Sequence, residues 1–240
     1  PKISNILGKS VRTNGESLLG VTSFKSTKDY SKGLSIGAQF KADEVTKIEA
    51  VRYPSGSNFM RLLACPFTGE GNRLVRPFKL IVNSIFQFPD IVRLYLKKNW
   101  AKSSIILLVM QSTDTKMGLK WGRGLFTFFK KGIVGSKSDD NIPSYLPIAQ
   151  NAGKLLEEVI EGKAQNVISE VALGIPATAH ILGGCVMGLD HSTSVVDSKH
   201  EVHGYKGLYI SDASVIPVNL AVNPSLTITA MAERFSSLLT

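Results

Sequence analysis

The sequence predicts a mixed α/β (α+β) protein, and three observations predict it. Residues 34–40, 46–53 and 104–111 are short runs containing β-branched or aromatic side chains, separated by turns, and read as strands. Residues 74–100 and 141–162 carry apolar residues at three- and four-residue steps, the spacing of a helix face. The chain then closes on a strand, a turn and a helix, from Gly207 to Thr240.

Each element has a local justification. Near the start, Asn14-Gly15 is a turn signal. Within 74–100 the apolar residues Ile85, Phe86, Phe88, Ile91, Val92, Leu94, Tyr95 and Leu96 form the pattern, and Pro89 divides it into two short helices. The segment Asn141 to Gly162 reads as a helix presenting Leu155, Leu156, Val159 and Ile160 on one face, with Gly162 as its stop. Leu208, Tyr209 and Ile210 read as a buried strand between Gly207 and Ser211. In the final helix, Asn223 suits the N-cap and Pro224 the first helical position. Its apolar face would hold Leu226, Ala230, Met231, Phe235, Leu238 and Leu239.

Composition narrows the function classes. Apolar residues make up 43% and charged residues 20%, a balance that builds a core and argues against disorder. A net charge of +9 invites an anionic partner, but no basic run interleaved with aromatics and no zinc-finger or helix-turn-helix spacing supports nucleic acid. Cys65 and Cys185 are too few and too far apart for a disulfide framework or a CxxC motif. Pro1 opens the chain without a signal peptide, and Ile105–Met110, the longest apolar run, is far too short to span a bilayer. Localisation stays open, with the cytoplasm weakly favoured.

All four histidines, His180, His191, His200 and His203, lie in the last 61 residues of the chain. With Asp190, Asp197 or Cys185 they suggest a metal site, but no pair has zinc-finger or HExxH spacing, and we expect none. His191, His200 and His203 read as residues of a solvated loop, and Cys185 as a small packing residue. The basic and apolar stretch Arg73 to Lys98 reads as a helical cover with a solvated face. Its sharper reading is a peripheral membrane contact, with Arg76, Lys79, Lys97 and Lys98 meeting headgroups while Phe86, Phe88 and Tyr95 dip inward.

The most specific signal is at the C-terminus. His180-Ile-Leu-Gly-Gly-Cys-Val-Met-Gly188, Asp212-Ala213-Ser214 and Asn223-Pro-Ser-Leu-Thr-Ile-Thr-Ala-Met-Ala-Glu-Arg234 follow one another there. Together they resemble the closing segments of the glucose–methanol–choline oxidoreductases, in the cholesterol-oxidase-like branch. Ala213 stands where Gly is commoner. Residues 105–114 and 117–121 fit the same branch, so the resemblance covers essentially the whole chain, but only the C-terminal half or so of a family member. It implies FAD as cofactor and an alcohol as substrate, bulky, apolar and sterol-like. Such enzymes take a proton from the hydroxyl and a hydride from carbon, the hydride going to flavin N5.

The resemblance makes His180 the catalytic histidine and Asn223 the second active-site residue, near substrate oxygen and flavin. It places Gly183, Gly184, Asp212, Ala213, Asn223, Pro224 and Ser225 about the cofactor. The glycines would admit close approach of a flat ring, and the start of the last helix would face developing negative charge. Asn223 also serves as a plain N-cap, and the two roles are compatible. Glu49, with Pro54 and Gly56 in Glu-Ala-Val-Arg-Tyr-Pro-Ser-Gly, keeps the spacing of a family glutamate that moves a proton during double-bond isomerisation.

These implications give a domain plan. Residues 1–19 would connect to an FAD-binding region outside this chain, 20–175 would form a substrate-binding sheet with covering helices, and 176–240 would complete a Rossmann-like FAD domain. No Gly-rich dinucleotide fingerprint occurs in the sequence, and GGCVMG is not one. Two other readings therefore stay open: a catalytically silent fragment or subunit needing an FAD-binding partner, and an apolar-ligand-binding module.

Overall fold

The computed structural model describes residues 3–124, 127–136 and 142–239. In chain order the strands are β1 (Val11–Arg12), β2 (Ser17–Ser23), β3 (Ile36–Lys41), β4 (Thr46–Val51), β5 (Ala64–Pro66), β6 (Ser104–Gln111), β7 (Gly118–Arg123), β8 (Lys131–Ser136), β9 (Gly162–Val167) and β10 (Leu182–Gly183). The helices are α1 (Val75–Phe86), α2 (Phe88–Leu96), α3 (Pro147–Val159), α4 (Ile168–Ala172) and α5 (Ser225–Leu239). The mixed helix-and-strand class expected from the sequence is the one found.

The chain forms two compact units. Unit 1 comprises residues 1–15, 111–142 and 179–240, and unit 2 comprises residues 16–110 and 143–178. Each unit is therefore assembled from separated stretches of chain. Residues 111–142, which the sequence assigns with 20–175, cluster with unit 1.

Unit 2 is built on a six-stranded sheet in the order β3-β4-β6-β2-β9-β5. The pairs β2–β6, β2–β9, β3–β4 and β5–β9 are antiparallel. Side-chain alternation sorts its residues to two faces. On one face Leu19 and Leu107 meet Ile48, Leu146 and Ala149, and Val21 meets Ile160 and Ala164. On the other, Leu18 and Ile106 pack with Ala64, Leu94, Trp100 and Ala101. The edge strand β3 is exposed throughout.

α3 covers the first face, lying over β2 and β9. Pro147 supplies its pre-set first turn. Asn141, read as the helix start, lies outside the described residues. The buried face runs through Ala149 and Gly153, small residues that admit Leu19, and on to Leu156 and Ile160. Leu155 and Val159 point away and are 64% and 79% exposed, so half of the expected face is wrong. The helix ends at Val159, and Glu161 adopts the left-handed φ of 48°. Gly162 is not the stop but the first residue of β9, where a Cβ would lie 2.8 Å from the Thr22 carbonyl oxygen.

α1 and α2 are the two short helices expected. The break falls at Gln87, with Pro89 inside the first turn of α2, where its missing N–H costs nothing. Arg76 is not a surface cation: it is 1% exposed, and its guanidinium donates to the carbonyls of Ser144 and Glu170. The Tyr95 hydroxyl likewise donates inward, to the Ala64 carbonyl. Both leave the membrane-facing set read from the sequence, whereas Phe86 and Phe88 are exposed.

In unit 1, β1 pairs with β10 and β7 with β8, both antiparallel. Val195, Val196, Val202 and Val215 form its core, with Met187 and Met231 against them. The strand expected over 207–211 does not form. Tyr209 makes a bridge to Glu201, and Leu208 is 49% exposed, with no strand among the described residues pairing with it. α5 is present, but of its expected apolar face only Met231 and Phe235 pack; Leu226 is 82% exposed. No helix among the described residues is long and apolar enough to cross a membrane.

The tight β2–β9 approach yields a paired test. Gly162→Ala, whose methyl group would press on the Thr22 backbone, should lower unfolding free energy by about 1–3 kcal/mol, whereas Gly135→Ala, with open space around the new methyl, should cost well under about 1 kcal/mol. Urea unfolding of the two variants checks the difference, and equal midpoints would refute it.

Candidate active site

Within unit 1, residues 8–14 organise the C-terminal motifs. β1 pairs Val11 with Gly183 and Arg12 with Leu182. The Gly184 N–H donates to the Ser10 carbonyl at 3.0 Å, and its own carbonyl accepts from Gly8 N at 2.8 Å. Gly183 has φ 69°, and a Cβ there would lie 2.0 Å from the Ser10 oxygen. Gly184 has φ 95° and packs on the Val11 side chain. The close approach that these buried glycines permit is therefore to the protein's own backbone. His180, two residues before β10, is half-buried.

Asn14 secures the other end of the motif set. It is fully buried with φ 58°, a conformation asparagine tolerates better than most residues. Its Nδ2 donates to the Val222 carbonyl at 3.0 Å, and its Oδ1 accepts from Leu220 N and Ala221 N at 2.9 and 2.8 Å. The segment leading into Asn223 is held this way. Asn219 Nδ2 donates to the carbonyls of Thr113 and Thr115, and Arg12 donates to the Asp114 carboxylate, which it holds below the usual carboxylate range. In the sequence Asn14-Gly15 reads only as a turn; the pinning function of Asn14 carries no sequence pattern of its own.

The helix start differs slightly from expectation. Ile228 N donates to the Pro224 carbonyl at 2.8 Å, so Pro224 is the cap, Ser225 the first helical residue, and Asn223 lies one residue before the cap. The first-turn N–H groups of α5 have no intrahelical acceptor. Asp212 is exposed and caps the short 3₁₀ turn Ala213–Val215, accepting from Ser214 N at 2.7 Å. That turn is tied to the glycine motif through Cys185 N to Ser214 O and Met187 N to Val215 O. His180, Gly183, Gly184, Asp212, Ala213, Asn223, Pro224 and Ser225 all belong to unit 1.

The other histidines are more structural than the sequence suggests. His200 is not on a solvated turn: it is fully buried, with Nδ1 2.9 Å from the Ile210 carbonyl and its ring 5.2 Å from that of Phe235. His203 Nε2 lies 2.8 Å from Ser194 Oγ. Because that hydroxyl donates to the Asp190 carbonyl, it accepts from His203, the reverse of the polarity of a serine nucleophile and its base. Among the described residues no three His, Cys, Asp or Glu side chains are grouped to hold a metal ion. Cys185 is half-buried, and burial raises its thiol pKa; burial pushes that of Cys65 up to about 12.

Glu49 belongs to unit 2. It is 2% exposed and accepts from Gln39 Nε2 at 2.6 Å. Alternation along β4 gives it the same sheet face as Val51, which packs with Leu18, Trp100 and Ile106. That face carries a cavity of about 260 Å³, lined among others by Leu18, Tyr53, Met60, Trp100, Ile106 and Asn166.

Beside the cavity wall lies Glu170, which sequence analysis overlooks. Its carboxylate accepts from Leu18 N, Ala177 N and the Ser17 hydroxyl, and the residue is 1% exposed. Burial raises its pKa from 4.5 to about 7, against the opposing pull of those hydrogen bonds and of Arg76. A charged residue in a short amphipathic stretch gives no sequence sign of such burial.

Comparison with known proteins finds relatives over nearly the whole chain. Residues 142–232 match the family model described as GMC oxidoreductase. A cholesterol oxidase of Acinetobacter baumannii is 38% identical over 238 residues, which are 99% of this chain and 42% of that protein. A cholesterol oxidase of Mycobacterium tuberculosis is 34% identical over 251 residues, with the same two coverages. Among solved structures, pyridoxine 4-oxidase from Mesorbium loti superposes with a TM-score of 0.52 at 15% identity, over 98% of this chain and 43% of that one, a likeness of fold. The chain thus spans less than half the length of these relatives.

Glu170 makes stability depend on pH in a defined direction. Its folded pKa lies above 4.5, so the folded state binds the extra proton between 4.5 and about 7. The associated stability is fully present below that window and lost as pH rises through it, by about 3 kcal/mol in total. Glu170→Gln should flatten this part of the profile, as read from urea midpoints at about pH 5 and about pH 8; an unchanged slope would contradict the assignment.

Proposed function

We propose that this chain, which belongs to the GMC oxidoreductases, supplies the catalytic side chains of an FAD-dependent oxidation of the CH–OH group of a bulky apolar alcohol, sterol-like in shape. One observation carries this: residues 8–14 hold the His180 motif and the segment entering Asn223 in a single unit. The cholesterol oxidases that match nearly the whole chain support the choice of substrate.

The donor set suits such chemistry. Bound FAD would take the hydride leaving the carbinol carbon. His180 would accept the proton of the substrate hydroxyl, imidazole being the side chain poised near neutral pH. Asn223 would position the same oxygen with its carboxamide. The first-turn N–H groups of α5, beginning at Ser225, would meet negative charge at the cofactor edge, with Pro224 fixing where that turn starts. Gly183, Gly184, Asp212 and Ala213 would shape the neighbouring backbone. Glu49 would move a proton in a following isomerisation; its burial on the sheet face of unit 2 that bears the cavity supports that role.

A water-insoluble substrate favours contact with a lipid surface. Phe78, Ile81, Ile85, Phe86 and Phe88 are exposed on α1 and α2, and Lys97, Lys98 and Arg93 follow close in sequence.

The relatives' remaining length points to the test. Visible flavin absorbance is measured for the chain alone and co-expressed with the coding region upstream. Flavin in the co-expressed sample is the expected result, with His180→Ala retaining the absorbance while losing roughly 10²–10⁴-fold in turnover of cholesterol. Flavin in neither sample would sink the oxidoreductase reading, and full turnover by the variant would remove His180 from the proton step. The first outcome would favour binding of an apolar ligand alone, which the unit 2 cavity supports.

A further inference from the structure

The β7–β8 ribbon of unit 1 carries a surface that the oxidation reading does not use. Its ladder pairs Trp121 with Ile133 and Arg123 with Lys131. Residues two apart on a strand share a side, so these four side chains stand together on one face. All four are exposed. The end of the ribbon adds Phe128 and Phe129, 86% and 67% exposed, and Lys130, exposed as well.

That end is closed by hydrogen bonds. The N–H groups of Thr127 and Phe129 donate to the Gly124 carbonyl at 3.1 and 3.0 Å, and Lys130 N donates to the Thr127 carbonyl at 3.0 Å. The Thr127 hydroxyl accepts from Gly124 N at 3.0 Å and lies 2.9 and 2.8 Å from the carbonyls of Gly124 and Lys130. Phe128 and Phe129 have φ of 49° and 59°, a left-handed backbone that bulky residues adopt only where their surroundings impose it. Strained backbone is thus maintained to hold two phenylalanines in solvent, where they bury nothing.

The charge of the ribbon has one sign. Lys116, Lys120, Arg123, Lys130 and Lys131 occur with no Asp or Glu between Asp114 and Asp139. Arg123 and Lys131 sit directly opposite each other, an arrangement that like charges disfavour and a nearby anion relieves. A second copy of the chain would bring the same charges and be repelled. The complement is anionic and also accepts an apolar tip, and an anionic bilayer has both properties. We propose that the ribbon docks the chain on an anionic lipid surface. Phe128 and Phe129 enter the acyl boundary, Arg123, Lys130 and Lys131 meet the phosphate headgroups, and Trp121 lies at the level between them. The site goes beyond the oxidation reading. It lies in unit 1, apart from the α1–α2 face of unit 2, and depends on neither.

The test floats the 240-residue chain with vesicles of phosphatidylcholine, alone or with about 30 mol% phosphatidylserine. Binding should be at least about tenfold tighter to the anionic vesicles, and should weaken between about 0.1 M and about 1 M salt. Trp100 is buried, Trp121 is exposed and the chain has no other tryptophan, so a blue shift of emission on binding reports Trp121. Phe128→Asn with Phe129→Asn suits left-handed backbone better than phenylalanine does, which keeps the ribbon folded. It should weaken binding by on the order of tenfold or more. Lys130→Gln with Lys131→Gln should weaken it by a similar factor. Phe86→Ser with Phe88→Ser, on the α1–α2 face, should keep the blue shift. Equal binding to both vesicles, binding to neither, no blue shift, or full binding by the asparagine variant would overturn the proposal. Loss of binding in the Phe86 and Phe88 variant alone would overturn it in favour of the α1–α2 face. Tighter binding of polyglutamate or a single-stranded oligonucleotide through the same phenylalanines would overturn it in favour of that partner.

Discussion

The Asn14 carboxamide is the interaction on which the arrangement of the C-terminal motifs depends. It is buried, it sits in left-handed backbone, and it uses both ends of its amide on residues more than two hundred positions away. A carboxamide offers two donor hydrogens and an acceptor oxygen on a single rigid plane. Replacing it with an apolar residue would leave two backbone N–H groups and one carbonyl without their partner, in a place where water does not substitute. Three residues earlier, the same stretch of chain makes the β1–β10 ladder. A span of seven residues, Gly8 to Asn14, thereby constrains both His180 and Asn223 through backbone geometry, with no direct bond between those two side chains required.

The sheet of unit 2 follows a different logic. One face is closed conventionally, by a helix whose small residues let it settle on Leu19 and Val21. Polar groups are also held at depth about this sheet: Glu49, Asn166, Glu170 and Arg76 are all at most 2% exposed. Such groups reduce stability unless each is matched, and several are matched only to backbone.

What was legible in the sequence divides along the same physical line. β6 was read at its exact residues, since 104–111 is a run of apolar and β-branched side chains that only a central strand accommodates. The α1–α2 break was legible because proline acts locally. The His180 and Asn223 motifs were visible as gapless patterns, and both residues lie within 142–232, the stretch that matches the family model. The strand at 207–211 was misread because a strand is defined by its neighbours, and Leu208-Tyr209-Ile210 has a bridge to Glu201 but no strand partner among the described residues. The face of α3 was misread because Ala149 and Gly153, being small, look weak as hydrophobic anchors, yet smallness is what allows close approach. Arg76 was misread as a surface cation, and Glu170 and Asn166 were missed altogether: burial of a polar side chain is decided by partners distant in sequence.

Gly183 and Gly184 have a broader implication. Their freedom from Cβ is claimed by Ser10 and Val11, so the demand for glycine arises while the chain is folding and before any ligand is met. A descendant that had abandoned its chemistry would still be compelled to keep both residues in order to close β1 on β10. Persistence of the glycine pair in a lineage therefore records selection for a foldable product and not, by itself, for a reaction.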